Sequence, residues 1–249
     1  MLDALLALHR AGIVNRDTPK YLFPETLIFN EGWLLRLVLK EWLARSESSG
    51  FSFLPFPEGV TAYSEGQLYT PFRARFRGDK LAEAHTHVDG IVGDFTVIDT
   101  KSGIVLKSDF RYIAAFEAKL YAPIDRGVTN APWYDQVSRA AACLINSILL
   151  ARPRGSYVGH LVVLYAADNH RIEPNLYTKD YVERQITRRV DGFLKSGEPS
   201  EAVAGFERGW REVLHHNLQI HFHPWDEALE YIGSRDLQGF YIDCKRANG

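Results

Sequence analysis

The chain has little cysteine. Of its 249 residues only Cys143 and Cys244 are cysteines, which excludes a disulfide framework and any four-cysteine zinc or iron–sulfur site. That usage fits a reduced, cytoplasmic setting. Long hydrophobic runs are also missing: no stretch approaches the ~18–20 apolar residues of a membrane helix. The first ten residues, Met1-Leu-Asp-Ala-Leu-Leu-Ala-Leu-His-Arg10, carry an acid where a signal peptide has basic residues, and read as a short amphipathic helix. Neither sign of charge is in excess. The net charge is −2, so the overall basic character that often marks nucleic-acid-binding domains is absent and local distribution decides. There are no internal repeats and no low-complexity tracts. The chain does have ordinary globular composition, 46% hydrophobic and 24% charged, enough for one large core.

The hydrophobic pattern sets an expected order of elements. Residues 1–46 read as helices. Pro24-Glu-Thr opens a segment from Leu27 to Ala44 with Trp33, Leu34, Leu37, Val38 and Trp42 at helical spacing. Strands are expected at about 67–77, 84–92, 94–99, 103–107 and 111–121, with Asp99-Thr-Lys-Ser-Gly103 as a turn. A helix is expected from Ala131 to about Leu150, with Pro132 in its first turn. Tyr157 to Tyr165 is a nearly continuous apolar strand, as in a sheet covered on both faces. The strand–helix–strand order between 111 and 165 implies a right-handed parallel crossover. From about 178 the chain reads as mainly helical, with Arg184, Arg188 and Arg189 on or near one face. The expected fold class is therefore α/β, in one domain: N-terminal helices over 1–46, a mixed-sheet core over 51–166 with a crossover helix, and a mainly helical extension over 170–249.

Two strands carry acid where apolar residues dominate. One reads His85-Thr-His-Val-Asp-Gly-Ile-Val92, the other Ile113-Ala-Ala-Phe-Glu-Ala-Lys-Leu-Tyr121. Side chains alternate along a strand, so Glu117 and Lys119 share one face while Ala114, Phe116, Ala118 and Leu120 form the other. Charged groups on so apolar a segment are costly unless they are used. Two carboxylates beside a lysine can hold a divalent cation and activate a water next to it. The bland alternative is a buried ion-pair cluster of Asp89, Lys119 and Glu117, an arrangement that is rarely stabilising.

Pro71-Phe-Arg-Ala-Arg-Phe-Arg77 is the one locally basic run. In a strand, Arg73, Arg75 and Arg77 would share a face about 7 Å apart and could meet successive phosphates; equally, they could protect an edge strand from aggregation. His85, His87 and Asp89 form a His-X-His-X-Asp column, suited to a transition metal, to a phosphate-contacting margin, or merely to an exposed strand. His215-His216 and His221-Phe-His223 read as helix-end or surface packing. Trp133 and Tyr134 could stack on a base or cap the core.

Asp89 followed by Glu117-Ala-Lys119, each on a strand, with a helix before and a crossover helix after, resembles the PD-(D/E)XK nuclease superfamily. Val88 stands where the proline of the name would be. The Val-Asp-Gly-Ile-Val run is similar to the group containing RecB and lambda exonuclease. Glu31 on the first core helix and Gln136 on the helix after the lysine strand match further positions of that group. The resemblance covers roughly residues 26–165. It implies a three-layer restriction endonuclease-like core with a mixed central sheet flanked by helices, plus C-terminal helical additions. It also implies that Asp89, Glu117 and the carbonyl of Ala118 bind Mg²⁺, with Mn²⁺ as a substitute, and that Lys119 assists the nucleophilic water. Glu31 would reach a second ion through water, and Gln136 would position the nucleophile or a phosphate. Arg139, three residues on, shares that helix face. Arg73, Arg75, Arg77, Arg139 and His87 would contact the nucleic acid, most readily DNA. No membrane partner is expected, while the modest charge suggests a homodimer or partner subunit for DNA grip. Two other readings stand beside this one. The first is a catalytically inactive nuclease-fold protein serving as a binding or scaffold subunit. The second is a small-molecule metal hydrolase centred on His85, His87 and Asp89.

Overall fold

The structure is a computed structural model that describes residues 7, 25–45, 54, 56–83, 86–98, 103–124, 126–128, 131–197 and 200–249. The expected helix at the N-terminus, His85, and the turn at 99–102 lie outside the described residues.

Helix α1 spans Glu31–Arg45, four residues later than the apolar spacing alone suggests. Asn30 explains the delay. Its side-chain amide donates to the carbonyls of Thr26 and Leu27, both at 3.0 Å, closing the 3₁₀ turn Glu25–Leu27. Its Oδ1 accepts from the N–H of Trp33 at 3.0 Å and so caps α1.

Strands β1 (Thr61–Leu68), β2 (Thr86–Gly93) and β5 (Tyr112–Lys119) form an antiparallel meander. The hairpin of β3 (Phe95–Ile98) and β4 (Gly103–Leu106) extends it beyond β1. Two-stranded pairing of β6 (Arg126–Val128) with β7 (Ala131–Asp135) precedes helix α2 (Gln136–Ala151). Strand β8 (Val158–Tyr165) then returns parallel to β5. Helices α3 (Lys179–Leu194), α4 (Glu201–Glu207) and α5 (Trp210–Glu212) follow, the last running into a π-helical turn, Val213–Asn217. Strand β9 (Leu218–Pro224), α6 (Trp225–Ile232) and α7 (Arg235–Asn248) complete the chain. The main sheet is mixed and has seven strands, in the order β3-β4-β1-β2-β5-β8-β9.

Alternation along the central strands divides the interior in two. Ile113, Ala115, Leu161 and Val163 pack with α2, α3, α4 and α5. Ala114, Phe116, Ala118, Val162 and Leu164 pack with α1, α6 and α7. Helices thus cover both faces, as the apolar run of β8 demands. Among the described residues no helix is long and apolar enough to cross a membrane.

Three expectations change. Residues 131–135 are a strand and not the first turn of a helix, because Asp135 supplies the N-cap: its Oδ1 accepts from the N–H of Ser138 at 2.8 Å. The 170–249 region contributes a strand as well as helices. Leu218, Ile220 and Phe222 alternate with Gln219, His221 and His223, which is the period of a half-buried strand, and β9 pairs parallel with β8. Finally, the basic run is not a strand. β1 ends at Leu68, and 70–83 is irregular because Arg75 and Asp79 lock a turn, their side chains 2.7 Å apart.

Candidate active site

The site forms where β2, β5 and the start of α2 meet. Gly90 pairs with Phe116 across the β2–β5 ladder. One step further, Asp89 Oδ2 accepts from the N–H of Ala118 at 2.7 Å, which fixes the Asp89 carboxylate against the strand that carries Glu117. The alternation of β2 breaks here: Val88 and Ile91, three residues apart, belong to the same core. Opposite the break, Glu65 of β1 adopts φ 56, a left-handed conformation uncommon for a glutamate, and interrupts the β1–β2 register between Ser64 and Gly66. Gly90 allows the layers to close, since a Cβ there would lie 2.9 Å from Leu39 Cδ1 of α1.

Glu117 and Lys119 leave β5 on the α2 side, as the two-residue period requires. Glu117 is 2% exposed and Lys119 is 9% exposed. Gln136, the first residue of α2, donates its Nε2 to Glu117 Oε2 at 2.6 Å. Burial pushes the Glu117 carboxyl well above the usual carboxylate range, and the Asp89 charge pushes it the same way. Burial also raises Asp89, opposed by the hydrogen bond from Ala118 and the charge of Lys119. Two carboxylates that both resist ionisation next to each other form a pocket that favours a cation. Several polar atoms there are buried without a hydrogen-bond partner: Glu117 Oε1, Gln136 Oε1 and Arg139 Nε. Such atoms are rare in native interiors and each calls for a partner.

Lys119 forms no ion pair with a described carboxylate. The buried ion pairs lie elsewhere, Arg189–Glu83 at 3.0 Å and Arg75–Asp79 at 2.7 Å, so the ion-pair-cluster alternative lacks its contacts. The backbone of Lys119 is held firmly. Its carbonyl accepts from Trp225 Nε1 at 3.1 Å and from the N–H of Ala166 at 3.2 Å. Arg139 is half-buried, and its positive charge lowers the Glu117 carboxyl.

Other expected residues fall differently. The charge of Glu31 bears on the Cys244 thiol of α7, whereas the acid that bears on both Asp89 and Glu117 is Glu65. Glu65 is paired with Arg36 at 3.2 Å. Neither residue was singled out from the sequence. The usable signal was Glu65-Gly66 within a strand pattern, since an interior glycine marks a bulge or a close approach. Arg75 is committed to Asp79, to the Phe193 carbonyl and to Ser196, so it is not displayed to a ligand. Arg73 and Arg77 are exposed, with the Arg73 guanidinium 5.3 Å from the Tyr69 ring centre. His87 is exposed on β2. Among the described residues no group of three or more His, Cys, Asp or Glu side chains is placed to hold a metal ion, and His85, which would complete the His85-His87-Asp89 column, lies outside them. His221 lies beside His160 of β8, their ring nitrogens 3.1 Å apart, and burial lowers both to about 4. These rings are neutral packing groups on the sheet, not helix-end residues.

No family model, curated protein or solved structure matches the chain.

Proposed function

We propose that this protein is a divalent-metal-dependent nuclease with a restriction endonuclease-like core, hydrolysing phosphodiester bonds of DNA. The observation that carries the reading is the half-buried Asp89 held against β5 beside the buried Glu117, with Lys119 on the Glu117 face and Gln136 hydrogen-bonded to Glu117. The antiparallel meander followed by a helix and a parallel strand supports the fold assignment.

The residues fit Mg²⁺. Two carboxylates suit an ion that keeps several waters, and Glu117 Oε1 is a buried acceptor without a partner. Asp89 and Glu117, with the Ala118 carbonyl, would hold it. When bound, such an ion acidifies a water and offsets phosphate charge. The protein's own groups do the rest. Lys119 orients the attacking water and stabilises the charge that develops on the phosphoryl oxygens as the P–O bond to the leaving group breaks. Gln136 fixes the Glu117 carboxylate. Arg139 offers a guanidinium to a phosphate oxygen.

One observation favours a second reading, a nuclease-fold binding subunit without catalysis: among the described residues no group of three or more His, Cys, Asp or Glu side chains is placed to hold a metal ion. A cleavage panel separates the two. Supercoiled plasmid, linear duplex, single-stranded DNA and RNA are incubated with Mg²⁺ or Mn²⁺ and either wild type or Lys119→Ala. Cutting lost in the variant supports the nuclease. No cutting with either ion supports the binding subunit, and cutting that survives in the variant removes Lys119 from the mechanism.

A further inference from the structure

A second feature lies beside the site and is not used by the chemistry above. A groove of about 630 Å³ runs between α3 and Trp133 of β7, within the ~300–1,000 Å³ typical of ligand sites. Arg184 and Arg188 of α3 and Lys195 just past its end line it, and Gly192 leaves the space between Arg188 and Lys195 open, since a Cβ there would meet nothing within 4 Å. Trp133 is half-buried, three residues before Gln136, and the Arg188 guanidinium stacks over its ring at 4.0 Å.

The acids of the groove are already taken. Glu183 accepts from Arg211 at 3.2 Å and meets His215 at 2.9 Å, and Asp191 faces Lys195 at 3.8 Å. Arg189 turns inward to Glu83. Arg184 and Arg188, one turn apart, form no ion pair with a described carboxylate. Two like charges at this spacing repel in an isolated helix, and a bound anion would relieve that repulsion. An indole–guanidinium stack flanked by unneutralised arginines matches the chemistry of an unpaired strand, whose bases stack on aromatic and guanidinium planes while its phosphates meet cations.

We propose that this groove binds a single-stranded segment of nucleic acid, a base on the Trp133–Arg188 stack and its phosphate on Arg184. The proposal rests on the nuclease reading for its use, since the strand would lead toward Gln136 and Glu117, but the binding itself needs no catalysis.

The test is fluorescence anisotropy of a short fluorescein-labelled oligothymidylate with the full chain in EDTA, where no cleavage can occur. Wild type should bind. Arg184→Ser with Arg188→Ser should weaken binding tenfold or more and flatten the salt dependence by about 0.7 in log–log slope, for the phosphate that Arg184 no longer neutralises. Trp133→Ala should weaken it by roughly five- to a hundredfold, and Trp133→Phe, which keeps a ring, by only a few-fold. Arg208→Ser, an exposed cation elsewhere, should have no effect. The proposal is overturned if wild type does not bind, if the groove variants bind as wild type does, or if Arg208→Ser loses as much as the arginine pair. Melting curves of each variant check folding, and the arginine pair decides if Trp133→Ala unfolds. Binding retained with an empty cleavage panel would sink the nuclease reading alone. Cleavage of single-stranded substrate at wild-type KM by the groove variants would sink the groove alone.

Discussion

Gln136 Nε2 lies 2.6 Å from Glu117 Oε2, joining the first residue of α2 to a strand residue two short of the end of β5. The bond exists because Asp135 caps the helix and leaves Gln136 at its mouth. With Oε2 engaged, Oε1 is the oxygen left for a ligand. Partners that orient a metal-binding carboxylate usually contribute about 10- to 100-fold in affinity or activity. Gln136→Leu should therefore raise the Mg²⁺ concentration for half-maximal cleavage by about that factor, with the melting temperature little changed. A Mg²⁺ titration of cleavage rate checks it, and an unshifted midpoint would reduce Gln136 to a packing residue.

The buried carboxylates also set a pH dependence of stability. Glu117 has a folded-state pKa above its ordinary 4.5. At lower pH the group is protonated in both folded and unfolded chains, and its contribution is fully present. As pH rises above 4.5 the unfolded chain releases the proton first, so stability is lost until the folded group also ionises. Asp89 and Glu83 are shifted the same way. Metal-free Glu117→Gln should therefore melt higher than wild type at about pH 8, the gap closing toward about pH 4, at about 2–4 °C for each kcal/mol recovered. Mg²⁺ should raise the melting temperature of wild type but not of the variant. Calorimetry across pH with and without Mg²⁺ measures both effects. A constant gap would mean that Glu117 titrates alike in the folded and unfolded chains.

The legible parts of the molecule were those governed by short-range period. Alternation around Phe116 gave the two faces of β5, and with them the shared side of Glu117 and Lys119. The apolar run from Leu161 to Leu164 gave a doubly covered strand. Residues fixed by tertiary closure were hidden. Glu65 adopts φ 56 because β1 must step past Asp89, and no local propensity of glutamate announces that. Arg75 reads as a phosphate contact until Asp79, Phe193 and Ser196 are seen around it. β9 carried a strand-like alternation, but its histidines and the helical segments on either side masked it.

Trp225 makes a sharper test of Lys119 than removing the lysine alone. Its indole donates to the Lys119 carbonyl at 3.1 Å from a fully buried position. Trp210 is equally buried, but its indole donates to Glu207, away from the site. Each Trp→Phe change removes one hydrogen bond and part of a ring, about 1–3 kcal/mol. Both variants should lose similar stability, yet only Trp225→Phe should lower kcat, by roughly tenfold or more, through displacement of Lys119. Steady-state kinetics well below both melting temperatures separates positioning from general destabilisation. Equal kcat losses would show that the indole contributes only to packing.

Arg75 and Arg73, two residues apart, should answer differently to substitution. The Arg75 side chain is 7% exposed and pairs with Asp79, whose side chain is 1% exposed. That guanidinium holds the Asp79 carboxyl well below the usual carboxylate range. Arg75→Ala leaves a buried acid without its donor and frees the turn against α3, so it should cost about 1–3 kcal/mol of stability. The loss should be largest above about pH 4, where the unpaired Asp79 would be ionised. Arg73 is exposed over the Tyr69 ring, and Arg73→Ala should change stability by less than about 0.5 kcal/mol. If Arg73 meets phosphate, Arg73→Ala should instead weaken nucleic-acid binding uniformly across sequences and reduce the salt slope by about 0.7–0.9. Urea melts together with anisotropy at two salt concentrations read both quantities. A stable Arg75→Ala with weakened nucleic-acid binding would return that residue to the interface and dissolve the structural role assigned to its ion pair.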